Sequence, residues 1–442
     1  MSRIRQLIAY AALVSLSTAL WLAMSASGLL DGLEGEALRW RYLIRGELAS
    51  DAPIVFVDVD PKTIAKIGDR PWDRLNFAQT IEALLGPGQA RAVVVDIIFS
   101  PLGGGSLLDV ERARKGDFAL GEAVKRYPEK VVLAAAYTGT NQAVDVLPLR
   151  RYGYKDPSDV PFPESPTFPI ITFESGRLGL ANVDEALSKG SVPLKVPAIV
   201  ETEGEAFSRH LINGQLRAFN EILNKPERVS QDGFHRIVDA DGFALDPIPV
   251  RSSHRLLTIG LEAFLAAHGL DSGDVEWGRE ALLIRKDGVL FRRVPLIDGQ
   301  SMEVNWFRGW DIDGRGTHHS MADVLDAANA LGAAAADGDA GAVDDLEQWF
   351  ERFEGKVAFI GGVDATLKDL APTPFNRTPV PKVGLHANVY RTLEEEAYVR
   401  ETGALASHLS LVALAGAVSI LILWSGRGKN YTRAGAVLVL SA

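Results

Sequence analysis

The sequence predicts an α/β fold: a central, mostly parallel sheet with helices on both faces, an antiparallel β extension, an inserted helical and loop region, and flanking transmembrane helices. Three observations predict it. Ile54–Asp60 and Ala92–Phe99 are short apolar runs rich in β-branched residues, the pattern of strands buried on both faces. Helical stretches separate such runs, and the order strand, helix, strand, helix, strand belongs to a parallel right-handed βαβ sheet. Finally, Gln6–Leu30 and Thr402–Gly426 contain no Lys, Arg, Asp or Glu. Each is long enough to cross a bilayer core, which takes about 20 residues.

Arg3 and Arg5 precede the first window, and Arg427, Lys429 and Arg433 follow the second. The positive-inside rule puts both outer flanks in the cytoplasm. The expected organisation is a cytoplasmic N-terminus with a membrane helix (1–30), a periplasmic domain (31–401), a second membrane helix (402–426), and a cytoplasmic turn leading into a further helix (427–442). The chain therefore reads as the N-terminal part of a longer multi-pass protein of a bacterial inner membrane. A cleaved signal peptide is the alternative for the first window, with small residues at Ser25–Gly28. The 442 residues exceed one ordinary domain. A net charge of −11 argues against a nucleic-acid partner, and the absence of cysteine excludes disulfides, thiolate metal sites and a cysteine nucleophile.

Taken in order, Leu30, Leu33, Ala37, Trp40 and Ile44 form a coiled-coil-like stripe, either a helix packed on its own domain or a signalling stalk or homodimer contact. Ile54–Asp60 is the first strand, with Ala92–Phe99 and Lys356–Gly361 as its expected neighbours. Thr63–Ile67 and Phe77–Leu85 read as helix. A loop at Pro101–Gly105, a helix over Asp109–Tyr127 and a strand at Lys130–Tyr137 follow. Six prolines make Asn141–Pro169 an extended segment. Leu178–Val183 reads as a strand, Phe207–Leu223 as a helical stripe, Asp239–Gly242 as a turn and Leu256–His268 as a helix. Ala281–Ile284, Val289–Pro295 and Ser301–Phe307 alternate like antiparallel strands. Ser320–Asp323 resembles a capping box that opens a helix. Gly332–Ala342 reads as a mobile connection to a helix at Val343–Phe353. Gly384–Ala397 is a helix that delivers the chain to the second apolar window.

Seven segments occur in an order that resembles one family. They are Pro53–Asp60, Arg70–Arg74, Ala92–Phe99, Asp239–Gly242, Gly355–Gly362, Asp369 with Thr373 and Pro374, and Gly384–Asn388. Together they resemble the extracytoplasmic sensory domain of the second CHASE type, a sensory domain associated with cyclases and histidine kinases. The resemblance covers roughly Leu30 to Tyr398 and is densest in the two end thirds. It implies a membrane-anchored receptor whose cytoplasmic output, a nucleotide cyclase or a kinase, is missing from this chain. The sequence departs from the pattern in the middle. About 184–235 reads as an insertion, and Phe243 and Ala244 stand where the family has an Arg after the Asp-Gly turn.

The candidate site gathers polar residues at expected strand and helix ends: Asp58, Asp60, Trp72, Arg74, Asp96, Asp369, Thr373, His386 and Asn388. In open α/β sheets, ligands bind beyond the carboxyl ends of the strands. Carboxylates with one His offer a site for Mg²⁺, Ca²⁺ or Zn²⁺; the alternative is a structural network of capped ends. No hydrolase, metalloprotease or phosphate-loop signature is present. The expected function is a sensor module, not an enzyme. It would couple a periplasmic ligand, ion or envelope partner to the missing output. The rival classes are a membrane-tethered, metal-dependent periplasmic enzyme and a structural envelope protein.

Overall fold

One nine-stranded sheet organises the unit Tyr42–Val399. A computed structural model describes residues 39–99, 110–138, 165–167, 176–181, 195–205, 234–235, 248–249, 251–297, 299–310, 317–367 and 369–399, together with Ser15, Ala19 and Ser410. Almost all of both apolar windows lies outside these residues. Among the described residues, no helix is long and apolar enough to cross a membrane.

The first strand, β1 (Ile54–Val59), is buried at every position except Asp58. Its branched and aromatic side chains suit a pleated, enclosed surface. Asp60 ends it and caps α1 (Pro61–Ile67), accepting the Thr63 N–H at 2.8 Å. Pro61 sits at the start of that helix, where its missing N–H costs nothing. Asp73 caps α2 (Arg74–Leu85) through the Leu75 N–H at 3.0 Å. β2 (Ala92–Val95), α3 (Val110–Arg126) and β3 (Val131–Thr138) complete the expected alternation. β4 (Ser165–Thr167), β5 (Arg177–Leu180), β6 (Lys195–Pro197) and β7 (Ile199–Glu205) follow. A two-stranded pair, β8 (Phe234–His235) and β9 (Ile248–Pro249), precedes β10 (Arg251–Thr258), which runs straight into α4 (Ile259–His268).

A separate antiparallel sheet holds β11 (Val275–Trp277), β12 (Ala281–Lys286) and β13 (Val289–Pro295). The chain continues through β14 (Ser301–Glu303), β15 (His318–Ser320), α5 (Met321–Asp337), α6 (Ala340–Phe350) and β16 (Val357–Gly362). A short pair, β17 (Leu370–Ala371) and β18 (Val380–Pro381), leads into α7 (Val383–Glu394). The central order is β15-β1-β16-β2-β3-β5-β10-β7, with β4 attached to β3. Every neighbouring pair from β15 to β10 is parallel; β7 and β4 are antiparallel additions.

Strand residues alternate between two layers. Val55, Val57, Val93, Val95, Leu133, Ala358 and Ile360 face a core that includes Phe77, Ile81 and Leu84 of α2, Leu120 of α3, and Val324 and Leu325 of α5. The opposite layer meets α7 and the segment around Trp310. There Phe359 approaches Tyr390 edge-on at 6.1 Å, and Phe56 lies 4.9 Å from Trp310. α4 packs on α7 and is buried from Ile259 to Ala266; Glu262, the one charged residue in that stretch, is paired with Arg177. Helices therefore cover both faces.

Several expectations change. β16 is indeed beside β1, but β2 lies one strand further out and β15 takes the other side. Buried parallel strands share one composition, so their lateral order is not written locally. The helix expected over Leu256–His268 begins only at Ile259, because Leu256 and Leu257 pair with β7 as part of β10. A continuous apolar run has no period with which to mark that change. Ser301–Glu303 pairs with Lys195–Pro197, not with β13. The β12–β13 hairpin forms as expected around Asp287-Gly288, whose φ angles of 52° and 78° are those a tight turn requires. Gly332–Ala342 is not a loose connection. Its alanines extend α5 to Asp337, Gly338 ends the helix in a left-handed conformation, and Asp339 caps α6. Within the expected insertion, Lys195–Pro197 and Ile199–Glu205 are strands, and β7 forms an edge of the central sheet. The stripe at Phe207–Leu223, the turn at Asp239–Gly242 and the loop at Pro101–Gly105 lie outside the described residues.

Candidate functional site

β1, β16 and β2 end side by side. Asp58 pairs with Gly361, and Val95 pairs with Ile360. The Asp96 N–H donates to the Ile360 carbonyl at 2.8 Å, so Asp96 lies beside Gly361 on its other flank. Paired residues of parallel strands point to the same face. Asp58, Gly361 and Asp96 therefore form one row, with the residue that lacks a side chain in the middle. That gap is filled by α7. A Cβ on Gly361 would stand 2.6 Å from the Cβ of Val383. The first turn of the helix rests on the sheet between two carboxylates whose strands are about 9–10 Å apart.

His386 projects from this turn and is 1% exposed; the Asp96 side chain is 7% exposed. Their nearest atoms, Nε2 and Oδ1, are 3.6 Å apart, beyond hydrogen-bonding distance. Neither ring nitrogen of His386 has a hydrogen-bond partner, and neither does Asp96 Oδ2. Burial pushes the Asp96 carboxyl above its ordinary range; His386 and Lys382 oppose that shift and Asp369 adds to it. Asp369 and Lys382 form an ion pair of 3.3 Å at the rim, each side chain about one-third exposed.

Across Gly361, Asp58 Oδ2 is 2.9 Å from His318 Nδ1. The His318 ring stacks on Phe56 at 4.6 Å and meets Trp310 edge-on at 4.7 Å. Asp60 is occupied otherwise. Besides capping α1 it accepts the hydroxyls of Thr63 at 2.7 Å and Ser320 at 2.8 Å, tying the starts of α1 and α5 together. Ser320 therefore gives its hydroxyl to Asp60, and the capping box expected at Ser320–Asp323 does not form.

The other candidates separate. The Thr373 hydroxyl donates to Asn376 Oδ1 and accepts the Asn376 N–H, both at 2.9 Å, which shapes a turn. Asn388 Oδ1 accepts the Phe307 N–H at 3.3 Å, and its amide donates to the Gly384 carbonyl at 2.8 Å. Trp72 packs against the core on the opposite face of the sheet, with the Arg70 guanidinium 4.9 Å above its ring. Arg74 pairs with Asp117 and covers Phe99. Among the described residues, no group of three or more His, Asp or Glu is placed to hold a metal ion. The divalent-cation reading finds no ligand set there.

Residues not singled out in the sequence form a second feature, the strap Val304–Trp310. Incoming chain is bound to it: the Tyr42 hydroxyl donates to the Val304 carbonyl at 2.8 Å, Arg45 Nη1 to Asn305 Oδ1 at 2.6 Å, and Arg45 Nη2 to the Trp306 carbonyl. The Leu48 N–H donates to the Phe307 carbonyl at 2.7 Å. Outgoing chain is bound to the same strap. Asn305 Nδ2 donates to the Ala397 carbonyl at 2.9 Å, and the Asn305 N–H donates to Thr392 Oγ1 at 3.1 Å. Asn305 thus joins the two ends of the domain through one amide. Glu395 adds a direct tie, accepting the Ser50 hydroxyl and the N–H groups of Asp51 and Ala52 at 2.8–3.1 Å. The signal available in the sequence was an amide inside the apolar run Val304–Phe307.

A family model described as CHASE2 domain matches residues 13–426. No curated protein and no solved structure matches the chain.

Proposed function

Because the chain belongs to the CHASE2 domain family, we propose that it is the extracytoplasmic sensor module of a bacterial transmembrane receptor. CHASE2 is a family of sensory, not catalytic, domains in signalling receptors. In this reading the apolar windows 6–30 and 402–426 anchor the domain, and a nucleotide cyclase or kinase lies beyond Ala442. The stimulus acts from the periplasmic side, as a small ligand, an ion or an envelope protein.

The strap supports this reading most directly. α7 begins on the sheet edge beside Asp96 and ends where Asn305 and Glu395 join outgoing to incoming chain. In this reading a shift of α7 at its first turn is carried along the helix to the point where the two segments that lead to the apolar windows are tied together. Small helix translations are an established output of switching proteins. The stimulus must bind the two positions of α7 with different affinity, since only differential binding moves an equilibrium.

Reporter fusions after Ala206 test the topology. An enzyme active only in the periplasm should work there, and one active only in the cytoplasm should not. The reverse pattern would sink the receptor reading.

A further inference from the structure

Polar groups with no partner are rare in protein interiors, because each costs the loss of its hydration without a replacement. His386 and Asp96 leave three such atoms in one place, His386 Nδ1 and Nε2 and Asp96 Oδ2, where the first turn of α7 meets the sheet. The 3.6 Å separation of Nε2 and Oδ1 is less than 1 Å longer than an ordinary charge-assisted hydrogen bond. Beside them α7 is seated on Gly361, whose missing side chain lets Val383 approach the sheet closely.

We propose that Asp96 and His386 together bind one exchangeable proton, and that its gain or loss shifts the seat of α7 on Gly361. With one proton on the pair, as imidazolium and carboxylate or as imidazole and carboxylic acid, the site is neutral and the groups attract. Removing that proton leaves a buried negative charge, and adding a second leaves a buried positive one. Both are disfavoured in a low-dielectric interior. The proton comes from and returns to bulk water along the rim, where Asp369 and Lys382 stand.

The surrounding charges fit a site tuned by few neighbours. Asp369 and Lys382 approach from the β17–β18 side and already pair with each other. Asp58, from β1, lies across Gly361 and is engaged by His318 of β15. From α4, Gly260 is packed beside the His386 carbonyl, while Glu262 binds Arg177 and His268 binds Glu394. Arg70 lies on the far face of the sheet, near Gly362. The proposal does not depend on the receptor reading, since it concerns proton binding and helix position alone.

The test uses the full chain with ¹³C-labelled histidine rings and valine methyls, followed by NMR from about pH 4.5 to 8.5. His386→Gln assigns one ring signal among the eight histidines. The His386 ring and the Val383 methyls should titrate with a common midpoint, and Asp96→Asn should displace that midpoint by one pH unit or more. Val383 methyl signals that stay fixed with pH, methyl signals that change without any change in the His386 ring signals, or an unchanged midpoint in Asp96→Asn would each overturn the proposal. If Asp96→Asn does not fold, co-titration of the two signals in the unsubstituted chain decides.

Discussion

The two ends of α7 differ in how many of their polar side chains are tied to other segments. At the first turn, His386 and Asp96 are buried with polar atoms unmatched. At the last turns, Thr392, Glu394 and Glu395 each engage partners on other segments: Asn305, His268 and the backbone at Asp51 and Ala52. Side chains held by several partners rigidify the structure around them, whereas those without partners do not. The contrast assigns the movable end of the helix to the sheet edge and the fixed end to the domain's base.

The sharpest way to break the comparison is at Gly361. A valine there places its Cβ against Val383 and lifts the movable end off the sheet. Denaturant unfolding should show a loss of about 3 kcal/mol, the upper range for overpacking. Next is Asn305→Ala at the fixed end. It removes the partner of Arg45 Nη1 and of the Ala397 carbonyl, and the expected loss is about 1–3 kcal/mol. Hydrogen exchange should rise at residues 45–52 and 392–397 together; a rise at only one segment would mean that the strap does not join them.

The two ends also carry opposite pH signatures. Asp96 has a folded-state pKa raised by burial, so its stabilising contribution is full in acid and falls as pH rises through the folded value. Glu394 is also desolvated, but the hydrogen bond and charge of His268, with Arg91 and Arg292, leave its pKa below the ordinary value. Its contribution is present above the unfolded value and is lost as pH falls through the folded one. Asp96→Asn should remove the decline of stability with rising pH that begins at the ordinary carboxylate value, and Glu394→Gln the decline with falling pH, both measured by thermal unfolding. The second change should be smaller, within about 1 kcal/mol, because Glu394 is partly solvated. Smallest of all, Lys62→Ala removes an exposed pair with Asp323 and should change stability by less than about 0.5 kcal/mol.

Much of the architecture was legible because strand burial and helix capping are local. The run ending in Asp58 and Asp60, the Pro61 start of α1 and the Asp287-Gly288 turn each carry their reason within a few residues. The site was legible in part. Asp96, His386 and Asp369 lie on one sheet edge, since each follows a strand end or opens a helix there. Asp60 and Asn388 are absorbed by capping and by the strap, roles set by Ser320 and Phe307 far along the chain. His318 and Asn305 escaped notice for the same reason, as their partners are remote in sequence.

The position of β16 bears on how the molecule comes into being. β1 and β2 never pair with each other; the strand that joins them is made near the end of the domain, with Val357 set against both Ile54 and Ala92. A growing chain thus carries the two halves of its sheet with a vacant slot between them until residues 357–362 arrive. Pairing so distant in sequence is slow to nucleate, and the waiting strands expose open edges. An N-terminal fragment ending before Lys356 should remain a chaperone client, and protease resistance should appear only once β16 is included.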